Sequence, residues 1–313
     1  MGWRKLGLIF DPACLSGAEL TAALLPVAQV LDAEAGLVRV FHSPRDRRNR
    51  SKVHSFDFNV SNPGSMRKVS PAALLYPGKT GAFDDAGVTL GSLVSANCHQ
   101  YLFYTGWNLT VSVPFNNSIG IAEYRDGAFH RLGDGPVMTR TLHEPYSCAS
   151  PFVIHEDGRF RMWYASMDRW QEEPSGVRHY YNIKYCESAD GTNWSRQGVV
   201  AIDYQNPREY AFGRPFVLAE DGGYKMWYSV RGDAYRIGYA VSRDGVRWER
   251  QDERAGIDAS DSGWDSEMIE YPWVFDAAGK RYMLYNGNGY GRTGIGLAVR
   301  DEGVGQNAMK KRA

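Results

Sequence analysis

The sequence predicts an all-β chain that closes into a five-bladed β-propeller. Its 313 residues include 19 Tyr, 13 Phe, 9 Trp and 34 Gly, a mixture that favours many short strands and tight turns. One aromatic strand pattern recurs five times along the chain, and repetition at a nearly fixed period is typical of propellers. The N-terminus also begins with a strand, Lys5–Phe10, that has no partner nearby in the sequence.

The repeated element is a short strand that ends in an aromatic residue. Its last residues lie at 41, 104, 164, 228 and 285, which gives steps of 63, 60, 64 and 57 residues. An apolar strand comes before each copy of the repeated strand, and a third strand follows it. After two of the copies, an Asp-Gly turn leads into a fourth, polar strand. Four antiparallel strands per repeat predict a propeller blade. The five copies are Val38–Phe41, Tyr101–Tyr104, Arg161–Tyr164, Lys225–Tyr228 and Tyr282–Tyr285.

The blade boundaries follow from these repeats. We expect a single domain over residues 1–313, with blades at about 16–60, 83–132, 144–197, 209–250 and 265–299. The last repeat has only three strands before the charged tail Asp301–Ala313, so Lys5–Phe10 is predicted to be its fourth strand. Closure of this kind removes exposed sheet edges. The alternative is an open solenoid of five stacked hairpin units. The sequence shows no capping repeat, which argues against a solenoid.

Composition narrows the possible partners. Lys+Arg and Asp+Glu both number 36, so no net charge attracts nucleic acid or an anionic membrane. The chain has no run of about 20 apolar residues that could span a membrane and no evident signal peptide. The four cysteines form no CxxC pair, which indicates free thiols in a cytoplasmic protein. We therefore expect a small-molecule ligand.

Topology predicts that one rim of the channel carries the binding site. In an antiparallel blade, the start of strand one and the end of strand two lie at the same edge. The residues at these positions are carboxylates, arginines, asparagines and indoles, a mixture suited to sugar hydroxyls and to the C–H faces of sugar rings. The predicted ligand-binding residues are Arg45, Asp46, Asp84, Trp107, Asn108, Glu144, Arg169, Trp170, Arg214, Arg231, Asp265, Asn286 and Asn288.

Several of these residues have a structural alternative. Trp107 and Trp170 are equally interpretable as core aromatics, and Arg45 with Asp46 as an ion pair that holds a turn. The run Asn286–Gly289 is also explained by its backbone geometry alone.

Paired carboxylates suggest the chemistry. Glycoside cleavage needs a proton donor and a second carboxylate that acts as base or nucleophile. Glu270 lies two residues before Pro272 and is the predicted general acid, with Asp85 or Glu267 as its partner. Arg214 is predicted to position an anionic or hydroxyl group. Asp85 has the alternative role of capping a turn.

No cofactor is predicted. The chain has no Gly-rich phosphate loop, Gly-x-Ser-x-Gly elbow or His-Glu-x-x-His helix, which are the signatures of nucleotide, serine-hydrolase and zinc-protease sites. A structural calcium ion bound by oxygen atoms in the channel is the only metal that the sequence leaves open.

Nearly the whole chain, from Lys5 to about Val299, resembles the five-bladed propeller superfamily that includes glycoside hydrolase families 43, 32 and 130. The resemblance is closest to a group of uncharacterised bacterial family-43-like proteins, and it implies an enzyme that acts on glycosidic bonds without an organic cofactor. Glu270-Tyr-Pro272 is similar to the Glu-Cys-Pro acid motif of family 32. The matching segments are Ser43–Asp46, Asn49–Ser51, Phe83–Val88, Gly213–Pro215, Tyr235–Tyr239, Gly263–Pro272 and Tyr285–Gly289.

The sequence departs from these families at two places. Family 130 carries Glu-Asp-Pro-Arg where this chain has Thr89-Leu-Gly-Ser92, so the acid of that family is missing. Related propellers have His-Ala or Asp-Pro near the start of the first blade, where this chain has Ser16–Glu19. The leading hypothesis is a glycoside hydrolase or transglycosylase. The alternatives are a sugar-modifying lyase, dehydratase or transferase of a biosynthetic pathway, and a non-catalytic sugar-binding propeller.

Overall fold

The structure is a computed structural model that describes residues 2–14, 21–70, 72–174 and 176–300. These residues form twenty strands, two 3₁₀ turns at Pro12–Cys14 and Asp252–Arg254, and one short helical turn, α1 (Asn288–Gly291). The strands are β1 (Arg4–Phe10), β2 (Leu24–Asp32), β3 (Leu37–Ser43), β4 (His54–Asn59), β5 (Asn62–Arg67), β6 (Gly87–Ala96), β7 (His99–Asn108), β8 (Asn116–Arg125), β9 (Ala128–Arg131), β10 (Cys148–Glu156), β11 (Arg159–Glu173), β12 (Gly176–Ser188), β13 (Ser195–Ile202), β14 (Ala211–Glu220), β15 (Gly223–Arg231), β16 (Tyr235–Ser242), β17 (Glu249–Arg250), β18 (Glu270–Ala277), β19 (Lys280–Asn286) and β20 (Ile295–Arg300).

The strands pair mainly with their neighbours in sequence. Two four-stranded sheets contain β2–β5 and β6–β9, and an eight-stranded sheet contains β10–β17. The halves β10–β13 and β14–β17 of that larger sheet are joined by one parallel residue pair, Tyr181 with Ala211. The fourth sheet has the order β1-β20-β19-β18. The N-terminal strand therefore pairs with the last strand of the described chain, antiparallel, with Lys5 opposite Ala298.

Five strands surround the axis of the molecule, and we call β2, β6, β10, β14 and β18 the inner strands. Each inner strand contacts the next, and β18 contacts β2. On the axis, the ring of Phe216 lies 4.9 Å from that of Phe152 and 5.1 Å from that of Trp273. These three aromatic residues come from β10, β14 and β18 and fill part of the channel.

A β-bulge interrupts four of the inner strands just before a proline. Leu25, Ser150, Arg214 and Tyr271 have left-handed φ values of 56°, 50°, 52° and 57°, and each lies at a register shift of its strand pair. The residue before a proline normally adopts an extended conformation, so these positions need external support. Bulges of this kind change the direction of side chains next to active sites.

Side-chain oxygens of the preceding sheet or half-sheet supply that support at three bulges. The backbone N–H of Leu25 donates to Asn286 Oδ1 at 2.9 Å, and that of Ser150 donates to Thr105 Oγ1 at 2.8 Å. The N–H of Tyr271 donates to Ser229 Oγ at 2.8 Å. The last strand pair of the chain thus fixes the first inner strand.

The structure differs from the expected blade boundaries at two outer strands. Strand β5 lies beyond residue 60, and β13 extends past residue 197 to Ile202. Outer strands are polar and half-exposed, so their ends lack the apolar pattern from which the boundaries were predicted. Two segments lie outside the described residues: the tail Asp301–Ala313 and the segment Ser16–Glu19, where the sequence departs from related propellers.

Candidate active site

A cavity of about 660 Å³ lies over one end of the axial channel. Its wall receives residues from all five inner strands, together with the segments that follow the second strand of several sheets. The cavity is rich in aromatic and hydroxyl side chains, which suit a sugar ring with its hydroxyl groups. The lining residues that matter below are Arg45, Trp107, Ser150, His179, Tyr181, Ser229, Tyr235, Tyr271, Tyr290 and Arg292.

Arg214 ties the inner strands together. Its side chain is buried, with 2% of the residue exposed. The guanidinium donates hydrogen bonds to the carbonyls of Leu90 at 2.8 Å, Gly91 at 2.5 Å and Pro26 at 2.9 Å, and it lies 5.2 Å from the ring centre of Trp273. Burial lowers the pKa of Arg214 to about 9. Arg214 was predicted to bind ligand, but its donors are used by backbone carbonyls and it is not among the described lining residues.

Glu270 is the first residue of β18 and is completely buried. Neither carboxylate oxygen has a hydrogen-bond partner among the described residues. Burial raises the pKa of Glu270 well above its usual range, and the nearby Tyr271 hydroxyl and Arg231 guanidinium offset this only in part. A buried carboxyl without partners favours its neutral, protonated form. Burial therefore shifts Glu270 toward the protonated form that a general acid needs.

Three tyrosines border the cavity, and two of them, Tyr235 and Tyr271, lie close to Glu270. Tyr235, Tyr271 and Tyr290 all line the cavity, and the pKa values of Tyr235 and Tyr271 are raised well above their usual range by burial and by the Glu270 charge. Arg231, predicted to bind ligand, is not among the described lining residues; it donates a hydrogen bond to the Tyr290 hydroxyl and lies 5.2 Å from the ring centre of Tyr235. Tyr235 and Tyr271 therefore stay protonated and can donate hydrogen bonds.

The cavity wall also contains two predicted ligand-binding residues, Arg45 and Trp107. The indole N–H of Trp107 donates to Ser51 Oγ at 2.9 Å, and the Arg45 guanidinium lies 5.7 Å from the indole ring centre. Arg45 donates to Asn49 Oδ1 at 2.8 Å. Asp46, predicted as a further ligand-binding residue, holds a turn: its carboxylate accepts from Arg50 at 3.0 Å.

Three predicted ligand-binding carboxylates are not among the described lining residues. Each belongs instead to a buried cluster of the same composition; the three are Asp84, Glu144 and Asp265. Each carboxylate accepts a hydrogen bond from a tyrosine 20 residues later in the chain and pairs with a cation on the outermost strand of its sheet or half-sheet. Buried charges of this kind need a partner, and the cluster provides it. The three clusters are Asp84 with Tyr104 and Arg131, Glu144 with Tyr164 and Arg196, and Asp265 with Tyr285 and Lys5.

A fourth cluster also combines a tyrosine, a carboxylate and a cation, but its carboxylate follows the tyrosine in the chain instead of preceding it. Tyr228 donates to Asp252 at 2.5 Å, and Asp252 pairs with Arg250 of β17 at 2.5 Å. In the fourth sheet the cation is Lys5 of β1, 2.7 Å from Asp265. Strand β1 thus supplies the residue that β9, β13 and β17 supply elsewhere.

The two predicted partners of Glu270 are not among the described lining residues. Asp85 caps a turn, with its Oδ2 accepting the Gly81 N–H at 2.9 Å, which is the alternative considered from the sequence. Glu267 is exposed, and its backbone N–H donates to Asn288 Oδ1 at 2.8 Å. None of the three predicted catalytic carboxylates, Glu270 included, is therefore among the described residues of the cavity wall, although Tyr271, next to Glu270, is.

The remaining predicted residues are also absent from the described part of the wall. Asn286 is buried and bonds Leu25, Ala23 and Gly294, while Asn288 accepts from the backbone of Glu267 and Met268. Both asparagine side chains bond the backbone of other segments, a role that the sequence analysis did not predict.

The last three predicted residues lie beside the wall or on the surface. Trp170 packs against the lining residues Phe115 and His179, with ring centres 5.3 Å and 5.9 Å away. Arg169 is exposed and pairs with Asp168 at 2.5 Å. Asn108 ends β7, and its buried Oδ1 has no partner among the described residues.

The sequence reasoning missed most of the aromatic and hydroxyl lining. Tyr235 and Tyr271 belong to segments that carry the family resemblance, so that signal was available. His179 and Tyr181 lie on β12, which extends further toward the mouth than the repeat predicts. Burial, together with Arg231 and Arg178, lowers the pKa of His179 to about 4.

Metal binding finds no candidate in the described residues. Within residues 2–14, 21–70, 72–174 and 176–300, no group of three His, Cys, Asp or Glu side chains is arranged to hold an ion. In the same part of the chain, no helix is long and apolar enough to cross a membrane.

Fold and cavity together define the class of protein: the chain has the fold of the propeller glycoside hydrolases. A thermostable family-43 glycoside hydrolase matches it with a TM-score of 0.66 at 15% identity, over 91% of this chain and 90% of that one. A structure from work on GH130 glycoside hydrolases that target β-1,2-mannosidic linkages in Candida mannan matches with a TM-score of 0.69 at 16% identity, over 95% and 93% of the two chains.

The chain belongs to the same family as the uncharacterized protein Rv1502 of Mycobacterium tuberculosis (strain ATCC 25618 / H37Rv). The two are 43% identical over 300 residues, which cover 96% of this chain and 99% of the relative. A 1,2-β-oligomannan phosphorylase of Thermoanaerobacter sp. (strain X514) is 28% identical over 129 residues, 39% of this chain and 43% of that protein. No protein-family profile matches the sequence.

Proposed function

We propose that the chain is a single five-bladed propeller and a carbohydrate-active enzyme that cleaves a glycosidic bond in the cavity over its channel. The cyclic contacts of the five inner strands support the blade count, and the Tyr–carboxylate–cation clusters support a fourth strand in each of four blades. Aromatic faces and hydroxyl groups on the cavity wall support a sugar ligand.

The observation that carries the enzymatic proposal is the unpartnered carboxyl of Glu270 beside the cavity tyrosines. A completely buried carboxyl without a hydrogen bond destabilises the fold, so a role in chemistry would account for its presence at this position. Glu270 acts as the general acid that protonates the leaving oxygen. Tyr235 and Tyr271 bind substrate hydroxyls and exclude water from the acid.

The second half of the reaction needs an acceptor. No Asp or Glu, Glu270 included, is among the described residues that line the cavity. Support for the paired-carboxylate mechanism is limited to Glu270, which adjoins the lining residue Tyr271 in the chain. Hydrolysis and transglycosylation both remain consistent with a single acid, because each begins with protonation of the leaving group. Asp85 and Glu267 stay predictions for the second role.

A panel of aryl glycosides and oligosaccharides tests the proposal. On a substrate that is turned over, Glu270→Gln should lower kcat by about 100-fold or more, since general acid catalysis contributes on the order of 10²–10⁴. Glu253→Gln, at an exposed position, is the matched control and should keep full activity. Undiminished turnover by the Glu270→Gln variant would remove the assigned role. Asp85→Asn and Glu267→Gln in the same assay test the two remaining predictions.

A non-catalytic sugar-binding propeller is the second candidate. The lack of a lining carboxylate in the described part of the wall favours it. Sugar binding without product release from any member of the panel would support this candidate over the enzyme.

The cytoplasmic location is also a proposal. Cys98, Cys148 and Cys186 are free cysteines, which is the usual state of thiols in a reducing compartment. Burial raises the pKa of the Cys148 thiol to about 12, so this thiol is unreactive.

A further inference from the structure

The cavity wall carries positive charge without a counter-charge. Its described lining includes two arginines, Arg45 and Arg292, and no Asp or Glu. Many other arginines of the described chain are paired: Arg39 with Asp57, Arg131 with Asp84 and Arg281 with Glu220 are examples. The two lining arginines form no ion pair with a described carboxylate.

Arg45 has donor capacity left for a ligand. Its only side-chain hydrogen bond within the described chain goes to the neutral amide of Asn49, and its buried Nε has no partner there. A buried guanidinium N–H without an acceptor is costly. A bound anion would supply that acceptor, and guanidinium groups bind carboxylate and phosphate through two parallel hydrogen bonds.

Backbone hydrogen bonds connect the segment Thr21–Ala23 to Arg45 on one side and to Gly291, the residue before Arg292, on the other. The Thr21 N–H donates to the Arg45 carbonyl at 2.9 Å, and the Ala23 N–H donates to the Gly291 carbonyl at 2.9 Å. Both arginines therefore flank one short stretch of the wall. No carboxylate among the described lining residues offsets their charge.

We infer that the saccharide bound in this cavity carries an anionic group, a carboxylate or a phosphate, which Arg45 and Arg292 hold. This inference rests on the proposed sugar-binding function and names its substrate class. A neutral sugar would leave both arginines of the cavity wall, half-buried Arg45 and exposed Arg292, without an anionic partner. A like-sized anionic sugar gains both charge-assisted hydrogen bonds and the attraction of the cavity for anions.

Matched ligand pairs test the inference. Isothermal titration calorimetry at low ionic strength, where exposed charges are least screened, compares neutral aldoses with the corresponding uronic acids and sugar phosphates, in several configurations. The expected result is at least tenfold tighter binding of an anionic member than of its neutral counterpart. Uronic acids and phosphates form separate arms, so the preferred arm identifies the anion, and inorganic phosphate alone tests whether the sugar contributes.

Variants assign the effect to the two arginines. Arg45→Gln and Arg292→Gln should each lower the anionic preference at least threefold, and the double variant should abolish it, while Arg45→Lys keeps part of it. Arg159→Gln, at an exposed position outside the cavity, is the matched control.

The outcomes separate the inference from the function on which it rests. Equal or tighter binding of neutral sugars, or an anionic preference that persists in the double variant, would overturn the inference and leave the sugar-binding function standing. Binding of no ligand in any arm would overturn both.

Discussion

Asn286 holds the backbone of Leu25 across almost the whole chain: its Oδ1 accepts the Leu25 N–H at 2.9 Å, and its Nδ2 donates to the Ala23 carbonyl at 2.7 Å. The same amide donates to the Gly294 carbonyl at 2.8 Å. One buried side chain therefore fixes the first inner strand to the last sheet. It also supports the left-handed φ of 56° at Leu25, beside the cavity.

Asn286→Ala should lower the free energy of unfolding by about 3 kcal/mol, because three buried backbone groups lose their partner. Urea denaturation measures the change. Asn62→Ala, at an exposed position of β5, serves as control and should stay within about 0.5 kcal/mol of the parent protein. A similar small loss for Asn286→Ala would show that this closure contributes little.

Arg214→Lys should destabilise the protein by about 3 kcal/mol, although the charge is kept. A lysine cannot reproduce the planar fork that bonds the carbonyls of Leu90, Gly91 and Pro26, and buried acceptors without donors are costly. Thermal and urea unfolding measure the loss, with Arg159→Lys as an exposed control. If Arg214→Lys folds with parental stability and loses only sugar affinity, the original ligand-binding prediction is correct.

Asp84→Asn should cost about 3 kcal/mol of stability. The substitution leaves the Arg131 guanidinium, 2.7 Å away in the parent, without its counter-charge, and breaking one side of a buried ion pair is strongly destabilising. The neighbouring variant Asp85→Asn is the matched control, since an amide oxygen can still accept the Gly81 N–H. Equal losses for the two variants would contradict the assignment of Asp84 to a buried cluster.

The buried carboxyl of Glu270 should make the free energy of unfolding depend on pH. The folded-state pKa is raised above the ordinary value of 4.5, so the stability that comes with the protonated carboxyl is complete below pH 4.5 and is lost as the pH rises toward the folded pKa. The free energy of unfolding should fall by up to about 1.4 kcal/mol per pH unit in that interval. The difference between parent and Glu270→Gln, measured by urea unfolding from pH 5 to pH 8, isolates this group.

Within that experiment, Glu270→Gln should become the more stable protein at the higher pH values, because its amide cannot ionise. A stability difference that stays constant with pH would show that the Glu270 carboxyl titrates normally and would weaken its role as a general acid.

The sequence predicted the order of the elements well. All five aromatic strands lie within β3, β7, β11, β15 and β19, and the unpaired strand Lys5–Phe10 pairs with β20. These features depend on local periodicity and on turn residues, which are visible in any short window of the chain. The family resemblance also led correctly to the propeller glycoside hydrolase fold.

By itself, the sequence determined which residues form strands, how often the pattern repeats and that Glu270 starts an inner strand. Only the tertiary structure decided which polar side chains face the cavity. Asp84, Glu144 and Asp265 occupy positions that topology directs to the rim, yet each turns to a tyrosine and a cation on the outermost strand of its sheet or half-sheet. The physical reason is that a buried charge takes the partner that the completed fold places beside it, and that partner lies 47 residues away for Asp84 and 260 for Asp265.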